Sequence, residues 1–134
     1  MTTRSDTDTV VEILDASQRI RDHRFSLNPL TAGPDTLWSL VIPLGETWVV
    51  DFELVAHIQG GGDSNFYRAT RLIKNVAGTV TQTTVGTDLA VEQDPVGAAI
   101  DYTNSTTTIR LRYTKPTTGT WSVAGRVVVS GVVA

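Results

Sequence analysis

The chain has 134 residues, with 11 Lys and Arg against 14 Asp and Glu and a formal net charge of −3; that is one domain of ordinary size and a poor match to a general nucleic-acid binder. It holds no cysteine and two histidines, which excludes disulfides, thiolate chemistry and a three-imidazole zinc site. No apolar run approaches the ~18 residues of a membrane span, and the start Met1-Thr2-Thr3-Arg4 lacks the apolar core of a signal peptide. Synthesis in the cytoplasm is expected, with neither nucleic acid nor membrane as partner and with no cofactor.

Composition points to β structure. There are 21 Thr and 17 Val, but 2 Lys and one Met; β-branched residues suit a pleated, half-buried surface and lose rotamer freedom in helices.

Residues 1–33 read as an N-terminal arm. Nine charged side chains fall within residues 1–31, and the junction Asn28-Pro29-Leu30-Thr31-Ala32-Gly33-Pro34 is rich in turn formers. Thr9-Val10-Val11-Glu12 has the form of a capping box. Val10, Ile13, Leu14, Ser17 and Ile20 or Arg21 would share one face of a short helix. An extended strand suits Val10, Val11 and Ile13 equally. Arg19-Ile20-Arg21-Asp22-His23-Arg24 is the basic cluster. Asp22 interrupts it and no aromatic interleaves it, so carboxylates on a protein surface suit it better than nucleic acid. The candidate assembly contacts are therefore Val10, Ile13, Leu14, Arg19, Arg21, Arg24 and Phe25, and removing residues 1–30 should leave the rest folded.

Residues 34–134 read as the β domain. In the segment from Trp48 to Ile58 the even positions Trp48, Val50, Phe52, Leu54, Ala56 and Ile58 are apolar, while Asp51, Glu53 and His57 are odd. That period of two puts one face in a core and leaves the other wetter. Ile109, Leu111 and Tyr113 repeat the pattern, as do Trp121, Val123, Gly125, Val127 and Val129. Further strands are expected over 37–44, 66–76, 79–85, 88–91 and 98–102, with turns at Gly45-Glu46, residues 60–65, Ala77-Gly78, Asp94-Pro95, Asn104-Ser105 and residues 115–119. Seven or eight such strands imply an all-β antiparallel sandwich, jelly-roll-like. Its core should contain Trp48, Phe52, Leu54, Trp121 and Val127. Trp38 has no clear side, because the apolar residues from Leu37 to Ile42 do not alternate cleanly.

Few residue sets suggest chemistry. Gly62-Asp63-Ser64-Asn65 resembles the nucleophile block of GDSL/SGNH esterases, but no histidine follows His57, and a serine without a base is a poor nucleophile. Asp51 and Glu53 lie roughly 6.6–6.8 Å apart along one strand face, a spacing that glycoside hydrolysis can use and that a solvated sheet face also produces. His23, in the polar arm, and His57, on the outer sheet face, match no metal-ligand spacing. No catalytic role is expected.

Several stretches resemble a family of small β domains in bacteriophage virion proteins: Trp48-Val49-Val50-Asp51-Phe52-Glu53-Leu54-Val55-Ala56, Phe66-Tyr67-Arg68-Ala69, the Asn75-to-Gln82 turn, and the ending from Thr108 to Val129. The resemblance covers about residues 36 to 133. It implies a jelly-roll-like fold, a homotrimer, no catalytic residues and a place in the virion. The partners it implies are capsid or tail proteins, reached through the arm by a decoration or tail component. A receptor-binding or carbohydrate-binding module is the alternative, and exposed aromatics at loop tips would mark it.

Overall fold

The computed structural model describes residues 18–132. These form eight strands and no helix: β1 (Gln18–Leu27), β2 (Asp35–Val41), β3 (Thr47–Ile58), β4 (Ser64–Val76), β5 (Thr79–Glu92), β6 (Ala99–Ser105), β7 (Thr108–Thr114) and β8 (Trp121–Val132). Two antiparallel sheets face each other, one ordered β1-β8-β3-β4-β5 and the other β2-β7-β6. The pairs β1 with β8, β2 with β7 and β4 with β5 nest as in a jelly roll. β3 departs from that scheme by lying between β8 and β4.

β1 corrects the expected domain boundary. Its residues pair continuously with β8, from Gln18 opposite Val132 to Leu27 opposite Val123. Residues 18–27 are thus a strand of the main sheet, and the folded unit begins by Gln18, not at residue 34. Ile20 and Arg21, expected on one face of a short helix, are strand residues. The remaining arm residues, Val10, Ile13 and Leu14 among them, lie outside the described residues.

The alternation in β3 gives the core directly. Trp48, Val50, Phe52, Leu54 and Ala56 are buried, and so are Ile109, Leu111 and Tyr113 of β7 and Trp121, Val123, Val127 and Val129 of β8. Trp38 joins them because Leu37 is an extra residue: the β2–β7 register steps from Thr36–Arg112 to Trp38–Leu111. Such a bulge shifts side-chain parity by one, which is why the alternation is broken there. A line of rings then crosses the sandwich. His23 lies 6.1 Å from Trp38, Trp38 lies 5.7 Å edge-on to Phe52, and Phe52 lies 4.9 Å from Tyr102. Tilted and edge-on pairs suit the ring quadrupoles.

Two glycines of β8 make room for large rings. A Cβ on Gly131 would collide with the Trp48 indole, and one on Gly125 would collide with the backbone carbonyl oxygen of Glu53 and crowd the Phe25 ring. The two strands expected over 79–85 and 88–91 are one, β5, with a register shift opposite Ala69. Gly86 takes φ of 72° there, a conformation that costs glycine little.

Candidate interaction face

The outer face of the five-stranded sheet carries the polar residues of the alternating strands, and the registers order them into rows. One row reads Arg24, Arg126, Glu53, Arg68 and Leu89 across β1, β8, β3, β4 and β5. The next, two residues along each strand in β1, β8, β3 and β4, reads Asp22, Val128, Asp51, Thr70 and Val85. Mixed rows flank both: Ser26, Ala124, Val55, Phe66 and Val91 on one side, and Ile20, Ser130, Val49, Leu72 and Thr83 on the other. Val49, Val55, Val85, Leu89 and Val91 are all exposed, a large apolar share for a face turned to water.

Two shallow depressions of ≈ 270 and ≈ 320 Å³ lie side by side on this face and share Glu53 and Arg126. Phe66, Val55 and Arg24 border the first, while Asp51, Arg68 and Thr70 border the second. Glu53 Oε1 stands 3.8 Å from Arg68 and 3.9 Å from Arg126, and Arg24 stands 3.6 Å from Asp22. Exposed pairs at such distances contribute little to stability. The Thr70 hydroxyl donates to Asp51. Asp51 and Glu53 lie among charged and polar neighbours on an open face.

The serine motif has more company than its sequence suggests. The β3–β4 register puts His57 opposite Ser64, and His57 Nδ1 lies 2.7 Å from Ser64 Oγ. Ser64 therefore does have an imidazole beside it, supplied from before the motif rather than after it. A base must itself be oriented by a third group; among the described residues no carboxylate holds the other ring nitrogen. The Ser64 amide donates to Gln93 Oε1 at 2.8 Å, so it is not a spare oxyanion donor. His23 is not on a polar arm but on the inward side of β1, against Trp38. Among the described residues there is no group of three or more His, Asp or Glu side chains placed to hold a metal.

The basic cluster does not form one patch. Arg24 is exposed on the outer face, whereas Arg21 is half-buried with the inward parity of β1, opposite Val129. Phe25 is half-buried and packs against the core. The Arg19 backbone pairs with Gly131.

An ion pair made by a buried arginine escaped the sequence reading. Arg71 has the inward parity of β4, with Tyr67, Ala69 and Ile73, and it is 7% exposed. Both of its terminal nitrogens donate to Asp88, at 2.7 and 2.8 Å, and its guanidinium lies 4.4 Å over the Tyr102 ring. The Arg71 hydrogen bonds hold the Asp88 carboxyl below its ordinary range. A charged residue at an apolar parity position was the available signal. Beyond it, the Tyr67 hydroxyl donates to Glu92 at 2.6 Å and Asn65 Nδ2 donates to the Tyr113 oxygen at 3.1 Å. Burial raises all three tyrosines, and Tyr102 reaches about 12.

No protein-family model matches the sequence, and no curated protein matches it. Among solved structures, the chain is similar to the tailspike protein gp49 of Acinetobacter baumannii bacteriophage Fri1, a capsular polysaccharide depolymerase. Identity is 15% and the TM-score 0.50, over 87% of this chain and 18% of the tailspike. It also overlaps the tailspike of A. baumannii phage AM24, at 9% identity and TM-score 0.48, over 87% of this chain and 26% of that one. The shared feature is the fold. This chain spans about a fifth of the Fri1 tailspike's length.

Proposed function

We propose that this chain is a non-enzymatic structural β domain of a bacteriophage virion, a tail component held in place by its N-terminal segment. The observation that carries the reading is the fold match to one portion of a phage tailspike, covering 87% of this chain and 18% of that one. A small sandwich used as one module of a larger tail protein is also suited to serve as a separate piece of the same kind of assembly. That supports a tail position over decoration of the capsid. Aromatic placement favours assembly over sugar stacking. Among the described residues every Trp, Tyr and Phe is buried or half-buried, so no loop tip offers an open ring.

The N-terminal segment is suited to the anchoring role by its sequence. Val10, Val11, Ile13 and Leu14 stand between Asp8, Glu12 and Asp15, so the sequence offers apolar side chains to a partner surface. Because β1 belongs to the sheet, the informative deletion removes residues 1–17 and spares Gln18–Leu27. Truncated and full-length protein are added to particles lacking it and co-sedimentation is measured. The truncated form should fold with an unchanged thermal midpoint and remain in the supernatant. Equal binding by both forms would remove the anchor from the proposal, and attachment to heads but not tails would remove the tail position.

A further inference from the structure

We propose that the outer face of the three-stranded sheet holds an oxyanion-binding site at Arg110, for a carboxylate or a phosphate group. Arg110 and Arg112 alternate with the buried Ile109, Leu111 and Tyr113 along β7, so both arginines turn away from the core. The registers with β2 and β6 give each a row of its own. Thr36, Arg112 and Asp101 form one, and Ser39, Arg110 and Thr103 form the next.

The two rows differ in how their charge is met. Arg112 donates to the Asp101 carboxylate at 2.6 Å. The Arg110 row has a hydroxyl on either side and no carboxylate, and Arg110 is half-buried, which keeps its side chain against the sheet. Arg110 Nε, Arg112 Nε and Thr103 Oγ1 are closed off from water and meet no hydrogen-bond partner among the described residues. A buried polar group left unpaired is costly. Three of them on two adjoining rows, around a cation with no carboxylate in its row, point to an acceptor supplied from outside the chain.

An oxyanion supplies both missing elements. Its charge balances Arg110, and its oxygens accept from the guanidinium fork, which matches two oxygens of a carboxylate or phosphate at once. The hydroxyls of Ser39 and Thr103 can donate to the same group. Arg112 stands roughly 6.6–6.8 Å along the strand, near enough to add its field while Asp101 offsets only one of the two cations. The outer face of the five-stranded sheet makes the contrast, because Arg68 and Arg126 there already share Glu53. The proposal stands whether or not the protein belongs to a tail.

The test follows the arginine Nε–H resonances of the isotopically labelled full chain. Sodium acetate or sodium phosphate replaces sodium chloride at constant ionic strength. The Arg110 resonance, assigned by its absence from Arg110→Gln, should shift and saturate at millimolar anion. Saturation by either anion supports the site, and which of them saturates tells a carboxylate ligand from a phosphate. In Arg110→Gln the accompanying shifts of Arg112 and Thr103 should report a Kd raised about tenfold or more. Arg110→Lys keeps the charge without the fork and should fall between the two. Thr103→Val removes the hydroxyl alone, should also raise the Kd, and carries the test if the Arg110 variants fail to fold. A response that never saturates with either anion, or equal affinity in the wild type and Arg110→Gln, would overturn the proposal.

Discussion

The inner and outer faces of β3 alternate along a single strand, yet different things fix them. Inward, Trp48, Val50, Phe52, Leu54 and Ala56 are each set by burial: all are 2% exposed or less. Outward, Val49, Asp51, Glu53 and Val55 touch mainly their lateral neighbours on β4 and β8. Volume and shape govern the first set. Register governs the second, because which charge lies beside which follows from strand pairing and not from neighbours in the chain. The inner face should therefore respond to small changes in size, while the outer face should tolerate them.

The largest difference is expected between Phe52→Ala and Val55→Ala. Phe52 is 1% exposed and in ring contact with Trp38 and Tyr102, so its truncation should cost about 3–5 kcal/mol. Val55 is 45% exposed, and its loss should stay within about 0.5 kcal/mol. Urea unfolding of both variants checks this. Comparable losses would mean that the outer face is already covered within the monomer.

Adding volume sharpens the same contrast. Gly131→Ala would force the Trp48 indole away from β8 and should destabilise by about 1–3 kcal/mol. Ser130→Ala, next to it on the outer face, should change little. If Gly131→Ala is neutral by the same measurement, Trp48 has a second position available and the core is looser than its burial implies.

How far these features could be read from the sequence follows from the same division. β3, β7 and β8 were legible because a strand buried on one face must alternate. β1 was not, since its inward residues are Arg21, His23, Phe25 and Leu27 and an edge strand buries too little to force the pattern. Trp38 was hidden by the bulge at Leu37, which shifts parity without any glycine or proline to mark it. Among candidate sites, the separation of Asp51 and Glu53 on one open face was legible. The His57–Ser64 contact was not, because it depends on where the hairpin turns. Nor were the charge rows, which need four strand registers at once. Arg71 could have been found, as a charge standing at an apolar position of β4.

Alkali tests the inner face through its hydroxyls. Tyr67, Tyr102 and Tyr113 are all raised by burial, with Tyr67 raised further by its hydrogen bond to Glu92 and Tyr102 brought to about 12. A tyrosine raised above its ordinary value of ~10 favours folding fully below that pH, and the contribution is lost as pH rises through the folded value. Phenolate absorbance and far-ultraviolet circular dichroism should therefore change together above pH 10. Tyrosine ionisation near pH 10 with the sheet intact would show that these hydroxyls are open to solvent.

The smallest effect concerns the ion pair between Arg71 of the inner layer and the exposed Asp88 of β5. Asp88 is held below its ordinary range by Arg71, so the unfolded state binds its proton more readily than the folded state does. The stabilisation from this pair is then complete above the unfolded value of ~3.9 and is lost as pH falls through the folded one. Asp88→Asn keeps the size of the side chain and removes the charge, leaving Arg71 paired with a neutral amide. The variant should be less stable than the wild type at pH 7, by about 1–2 kcal/mol at most, because the Asp88 carboxylate is 42% exposed and water screens the pair. The gap should narrow as pH falls below the unfolded value of ~3.9 and the wild-type carboxyl takes up its proton. Unfolding free energies of both proteins across that range measure it. A gap that stays unchanged as the pH falls until the sheet unfolds would assign the contribution to shape at the Gly86 bulge rather than to charge, and Arg71 would then be held in the inner layer by its stacking on Tyr102.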